Sequence, residues 1–125
     1  MAFFYKSNNG RENQHYIKLR ELRLKNGETV IFNSRGLIPV ILQDGVNKTV
    51  LHLGYMDPVA LQTSLARQVV YLYRRSSGQL EKYGENKNLE YEIKSIKLHL
   101  SKRALLVMIE PIESHIEETL FVSDI

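Results

Sequence analysis

The sequence predicts an α+β fold: a single domain, mostly antiparallel sheet, with one clear helix. Three observations carry this expectation. Apolar stretches of strand length recur along the chain. Asn26-Gly27 and Asp44-Gly45 punctuate them as hairpin turns do. Asp57-Pro58 opens the one segment with helical spacing.

Residues 1–15 are polar and rich in Gly and Asn, and are expected to be a flexible arm, although Phe3, Phe4 and Tyr5 could dock. Tyr16 to Leu24 alternates, with a break of phase near Arg20 and Glu21 that suits a bulge. Asn26-Gly27 is a two-residue hairpin signal leading into a partner strand, Thr29 to Phe32. Residues 33–36 (Asn-Ser-Arg-Gly) are a turn. Leu37 to Leu42 is nearly continuous in apolar residues, as a buried strand would be. It forms a hairpin with Thr49 to Tyr55 across a longer loop. Asp57 is the expected N-cap of a helix running to about Gln68, with proline at its first position.

Val69 to Tyr73 returns to strand, Ser76-Ser77-Gly78 turns, and Gln79 to Tyr83 follows. Residues 84–89 are a polar loop. Tyr91 to Leu100 alternates with a phase slip at Lys94–Ser95, and Ser101-Lys102-Arg103 turns into the apolar strand Ala104 to Ile109. The domain is expected over 16–112, followed by an acidic tail, 113–125, ambiguous between helix and strand.

Composition excludes more than it identifies. The 125 residues are the size of one domain, long enough to bury about two thirds of their unfolded surface. There is no cysteine, which excludes disulfides, thiolate zinc sites, iron–sulfur clusters and a cysteine nucleophile. No apolar run approaches the ~20 residues a membrane span requires, and Met1 to Tyr5 is too short for a secretory signal. A cytoplasmic location is the expectation. The first thirty-five residues carry seven bases against three acids; the last twenty carry five acids and no base. Such a distribution suits polyanion binding, a tail pairing with a basic surface, or plain solvation.

Four histidines are present, His15, His52, His99 and His115, none in a recognised metal spacing. His52, inside an apolar strand, reads as structural. His99 should face solvent or a cleft. His115 lies among Glu113, Glu117 and Glu118, where an imidazole could act as ligand or base. No serine sits in a nucleophile-elbow pattern, and no Gly-rich phosphate loop occurs. No catalytic residue, metal or cofactor is assigned. The best anion-binding candidate is Tyr73-Arg74-Arg75-Ser76-Ser77-Gly78, where two guanidiniums precede hydroxyls and a glycine. An ordinary basic hairpin turn has the same composition, and both readings stay open.

The order of segments is more specific. Gly36-Leu37-Ile38-Pro39-Val40-Ile41, Asp44, then Val50-Leu51-His52-Leu53-Gly54-Tyr55-Met56-Asp57 and Ala60-Leu61 resemble the amino-terminal half of phosphoribosyl-AMP cyclohydrolase. That family of histidine biosynthesis opens the purine ring of phosphoribosyl-AMP, and its pattern reads like GLIPaIvQD followed by VLMLAYMN. Residues 73–80 resemble its W-S-R-S-R-G-K-L, and Gly84-Glu85 resembles the start of its G-E-T-S-G-N loop. Residues 96–98 and 104–107 resemble the strands around its D-C-D-x-D-A-L-L. The resemblance covers about residues 18–110.

By that resemblance the chain would be a homodimer, and Arg74, Arg75, Ser76, Gly84 and Glu85 would contact a nucleotide or phosphoribosyl ligand. A nucleic acid is the less favoured partner, and no membrane is expected. The family's metals are where the chain departs. Zinc is held there by one cysteine of D-C-D-x-D and two of C-H-T-G-x-x-S-C, and magnesium by the aspartates. Aligned on Ala104, those five positions are His99, Leu100, Ser101, Lys102 and Arg103. In the tail, Ser114-His115 or Ile116-Glu117 meets Cys-His, without a thiol in either case. Ser77 replaces the second arginine, and Asn86, Lys87 and Asn88 replace Thr, Ser and Gly. The reading is a cyclohydrolase-like protein without the metal-dependent reaction that retains nucleotide or phosphate binding. The alternatives are an enzyme with His/carboxylate chemistry, using His99 or His115 with Glu85 or Glu117, and a basic interaction module.

Overall fold

A computed structural model describes residues 4–6, 16–18, 20–112 and 117–125. His15, Ser114, His115 and Ile116 lie outside these, so the expectations placed on them are not addressed by the fold. The described residues form a mixed α+β structure with one α-helix and mostly antiparallel pairing.

β1 (Phe4–Lys6) pairs antiparallel with β2 (Tyr16–Lys18). β3 (Glu21–Arg23) pairs with β4 (Thr29–Ile31). The single bulged strand expected over 16–24 is therefore two strands with different partners; its phase break marks their separation. Three residues close the β3–β4 hairpin: Leu24 and Glu28 remain paired, the Gly27 amide donates to the Leu24 carbonyl at 2.9 Å, and Gly27 takes φ +92°. Asn-Gly thus marks a three-residue loop, whose left-handed position glycine occupies without a Cβ clash.

The main sheet has the order β6-β5-β10-β9. β5 (Ile38–Asp44) pairs antiparallel with β6 (Val50–Met56). β9 (Tyr91–Leu98) pairs antiparallel with β10 (Leu105–Pro111). The two hairpins join through a parallel β5–β10 contact that sets Val40 beside Leu105 and Leu42 beside Val107. All four side chains are buried on one face with Ile38, Met56 and Ile109. Opposite Met108 and Ile109 the β9 register skips Lys94, so the phase slip in the sequence is a β-bulge. β5 is not buried on both faces: Ile41, on the opposite face from Val40 and Leu42, is 38% exposed.

The helix α1 (Pro58–Arg67) begins where expected. The Asp57 carboxylate accepts from the Ala60 amide at 2.8 Å, and Pro58 fills the first turn, where an amide would have lacked a partner. The helix ends at Gln68, with φ +58°. Its buried residues, Pro58, Ala60, Leu61 and Ser64, cover the core. Ser64 Oγ fixes the next segment by accepting from the Tyr71 amide at 2.8 Å. β7 (Tyr71–Arg74) and β8 (Gln79–Lys82) form a separate hairpin. A 3₁₀ turn (Glu85–Lys87) leads to β9. Residues 117–125 hold no regular element, yet the Leu120 amide donates to the Leu51 carbonyl at 2.8 Å, so this part of the tail lies against the β6 edge.

Candidate functional site

The β6 strand and the β7–β8 hairpin enclose a cleft of about 220 Å³, lined among others by His52, Tyr55, Leu72, Arg74, Arg75 and Glu81. Gly54 makes the approach close: a Cβ there would stand 3.0 Å from Leu72 Cδ1. The cationic side chains are held individually. Arg74 Nε pairs with Glu81 Oε2 at 2.9 Å, across the hairpin. The Arg75 guanidinium lies 4.3 Å over the centroid of the Tyr55 ring. Each guanidinium has five N–H donors, so these contacts leave donors for an oxyanion. Ser76 is exposed in the following turn.

Gly84 and Glu85 lie elsewhere. Glu85 lines a cavity of about 330 Å³ with Lys82, Asn88 and Glu90. Gly84, at φ +86°, caps the 3₁₀ turn and presses against Tyr91, where a Cβ would meet the ring at 2.4 Å. The five residues expected to bind ligand thus separate: Arg74 and Arg75 share a cleft, and Glu85 belongs to another.

Beside the cleft is a polar group that local sequence did not signal. The His52 ring stacks on Tyr83 with centroids 5.9 Å apart and planes 15° from parallel. Tyr83 in turn meets Tyr91 at 5.0 Å. The Tyr91 hydroxyl donates to the buried Glu117 carboxylate, which also lies 3.7 Å from Lys87 Nζ. Burial lowers the pKa of His52. Burial, and then the Glu117 charge, push Tyr83 up to about 12. Burial and the Glu117 hydrogen bond push Tyr91 higher still. The local hints were a histidine in an apolar strand and Glu117 among the tail acids beside His115; neither pointed to Tyr83 or Tyr91.

At the positions that resemble the family's metal loop, the side chains build a turn. His99 Nδ1 accepts from the Ser101 amide at 3.0 Å and lies 2.9 Å from Ser101 Oγ. Ser101 Oγ accepts from the Arg103 amide at 3.2 Å. Lys102 takes φ +69°, and its ammonium pairs with Glu28 at 2.7 Å. Leu100 is exposed and cannot ligate. A chain without thiolates, with lysine and arginine in this loop, does not fit zinc or magnesium. Among the described residues, no group of three or more His, Asp or Glu side chains could hold a metal. None of the described helices is long and apolar enough to cross a membrane.

No family model matches the chain. Over 88 residues, 70% of its length, it is 35% identical to the histidine biosynthesis bifunctional protein HisIE of Bacillus subtilis, covering 42% of that protein. The protein of the same name from Vibrio cholerae is 40% identical over 77 residues, 62% of this chain and 37% of the relative. The chain thus spans about two fifths of the length of these relatives. Fold and similarity define a small α+β protein homologous to one part of a histidine-biosynthesis protein. This similarity supports the resemblance to the phosphoribosyl-AMP cyclohydrolase pattern, of which the chain lacks the zinc cysteines and magnesium aspartates.

Proposed function

We propose that the protein binds the phosphate of a nucleotide or phosphoribosyl compound and does not perform the family's metal-dependent ring opening. The observation that carries the reading is the β6–β7 cleft, which brings Arg74 and Arg75 together with donors to spare. Arginine forks match phosphate oxygens in pairs, and Arg75 occupies a position whose arginine the family pattern retains. The loss of hydrolysis rests on chemistry. Ring opening needs a water activated by a metal, and this chain supplies no thiolate to hold one.

The protein is proposed to act as a homodimer in the cytoplasm. The outer sheet face, with Ile41 and Leu53 at 38% and 45% exposure, supplies apolar area for a second copy. A thermal-shift series with AMP and phosphoribosyl compounds tests the binding. A ligand held only by the folded state raises Tm. Arg75→Ala should remove the shift. An unchanged shift in that variant moves the site elsewhere. Turnover of phosphoribosyl-AMP at an enzymatic rate would refute the loss of hydrolysis.

A further inference from the structure

We infer that His52 is a third basic group of the β6–β7 cleft, completing with Arg74 and Arg75 a site for a dianionic oxyanion that binds more tightly as pH falls. The inference rests on reading the cleft as a phosphate site. Where the family pattern VLMLAYMN has methionine, this chain has His52. The chain that lacks the metal ligands therefore carries an added imidazole, placed in the cleft with both arginines.

The placement follows from the sheet. His52 pairs with Leu42 and so shares the core-facing side, but β6 is the last strand of its sheet and leaves the ring half-buried. The ring lies flat on Tyr83. Stacking occupies one face and leaves the ring nitrogens at its edge. Each basic group of the cleft is thus anchored by one neighbour: Arg74 by Glu81, Arg75 by Tyr55, His52 by Tyr83. Side chains held this way lose less freedom when a ligand arrives.

Charge gives the site its pH dependence. The titratable groups around His52 are Tyr83 after β8, Tyr73, Arg74 and Arg75 from β7 and its turn, and Glu81 from β8; Tyr55 lines the cleft from the other face of β6, and Leu42 is the β5 residue paired with His52. The arginines stay charged throughout the working range. Tyr83 ionises only at about 12. Burial lowers the pKa of His52 by disfavouring its charged form. A bound dianion opposes that effect by stabilising the imidazolium, so by linkage acidification strengthens binding.

Inorganic sulfate is the probe, because its charge is constant over the range. Calorimetry should show it binding wild type about tenfold more tightly near pH 5 than near pH 8, the scale of one added charge close to a dianion. His52→Met restores the family residue and should flatten the dependence; His52→Gln is the second variant should methionine disturb the fold. Glu81→Gln should keep the acid gain. Nuclear magnetic resonance titration of wild type should show sulfate raising the His52 pKa. Equal affinity at both pH values, or a gain retained without His52, overturns the inference and leaves the phosphate site standing. A gain lost in Glu81→Gln also overturns it. Absence of sulfate binding at both pH values overturns the phosphate reading and this inference together.

Discussion

The Tyr91 hydroxyl donates to the Glu117 carboxylate, and both residues are buried, at 1% and 8% exposure. Twenty-six positions separate them. The bond ties the tail to the first residue of β9, and Lys87 sits 3.7 Å from the same carboxylate. Tyr91→Phe should cost about 1–3 kcal/mol, since a buried carboxylate loses a donor and gains no water. Urea denaturation measures this. A loss as large in a chain truncated before residue 117 as in the full chain would show that the tail bond contributes nothing.

Tyr83 and Tyr91 predict alkaline sensitivity. Tyr83 is pushed up to about 12, chiefly by burial, and Tyr91 is raised by burial and the Glu117 bond. A raised folded-state pKa means that the unfolded chain releases the proton first. The stability these phenols contribute is full below about pH 10, the ordinary tyrosine value, and declines as pH rises through the folded values. Unfolding free energy should therefore fall above about pH 10, less steeply in Tyr83→Phe. Circular dichroism against urea, at stepped alkaline pH, reads the slope.

Gly84 has two independent reasons to be glycine. Its φ is +86°, and an added Cβ would meet Tyr91 Cε2 at 2.4 Å and the Leu89 carbonyl at 2.9 Å. Backbone and a buried ring cannot both move aside. Gly84→Ala should cost about 2–4 kcal/mol, combining left-handed strain with overpacking. By contrast, Gly27 has φ +92° with nothing within 4 Å, so Gly27→Ala should cost only about 1 kcal/mol. Equal losses would show that the Tyr91 contact is not limiting.

What was legible in the sequence was local. Asp57-Pro58 announced the helix because a cap and a fixed φ act within one turn. The slip at Lys94 announced the bulge because strand alternation has period two. The parallel β5–β10 contact had no local signature; it joins Val40 to Leu105 across sixty-five positions and is selected by burial. Arg74 and Arg75 were legible as a pair, but their company was not. His52 and Glu81 reach the cleft through sheet pairing and hairpin closure. The tail acids were ambiguous in the sequence, between solvation, pairing with a basic surface and a role beside His115; the Tyr91 and Lys87 contacts distinguish Glu117.

The turn at 99–103 predicts the response to metals. His99 Nδ1 is committed as an acceptor to the Ser101 amide, and Ser101 Oγ to the Arg103 amide. A zinc ion would have to break these contacts and approach Arg103, with no thiolate to compensate. Zinc or magnesium at concentrations that saturate ordinary protein sites should therefore leave Tm unchanged, since only a ligand preferring the folded state stabilises it. His99→Ala should lower stability by about 1 kcal/mol through the loss of the turn bond, with or without zinc. A zinc-dependent rise in Tm that disappears in His99→Ala would instead assign this imidazole to a metal, and would revive the reading of the chain as an enzyme with altered chemistry.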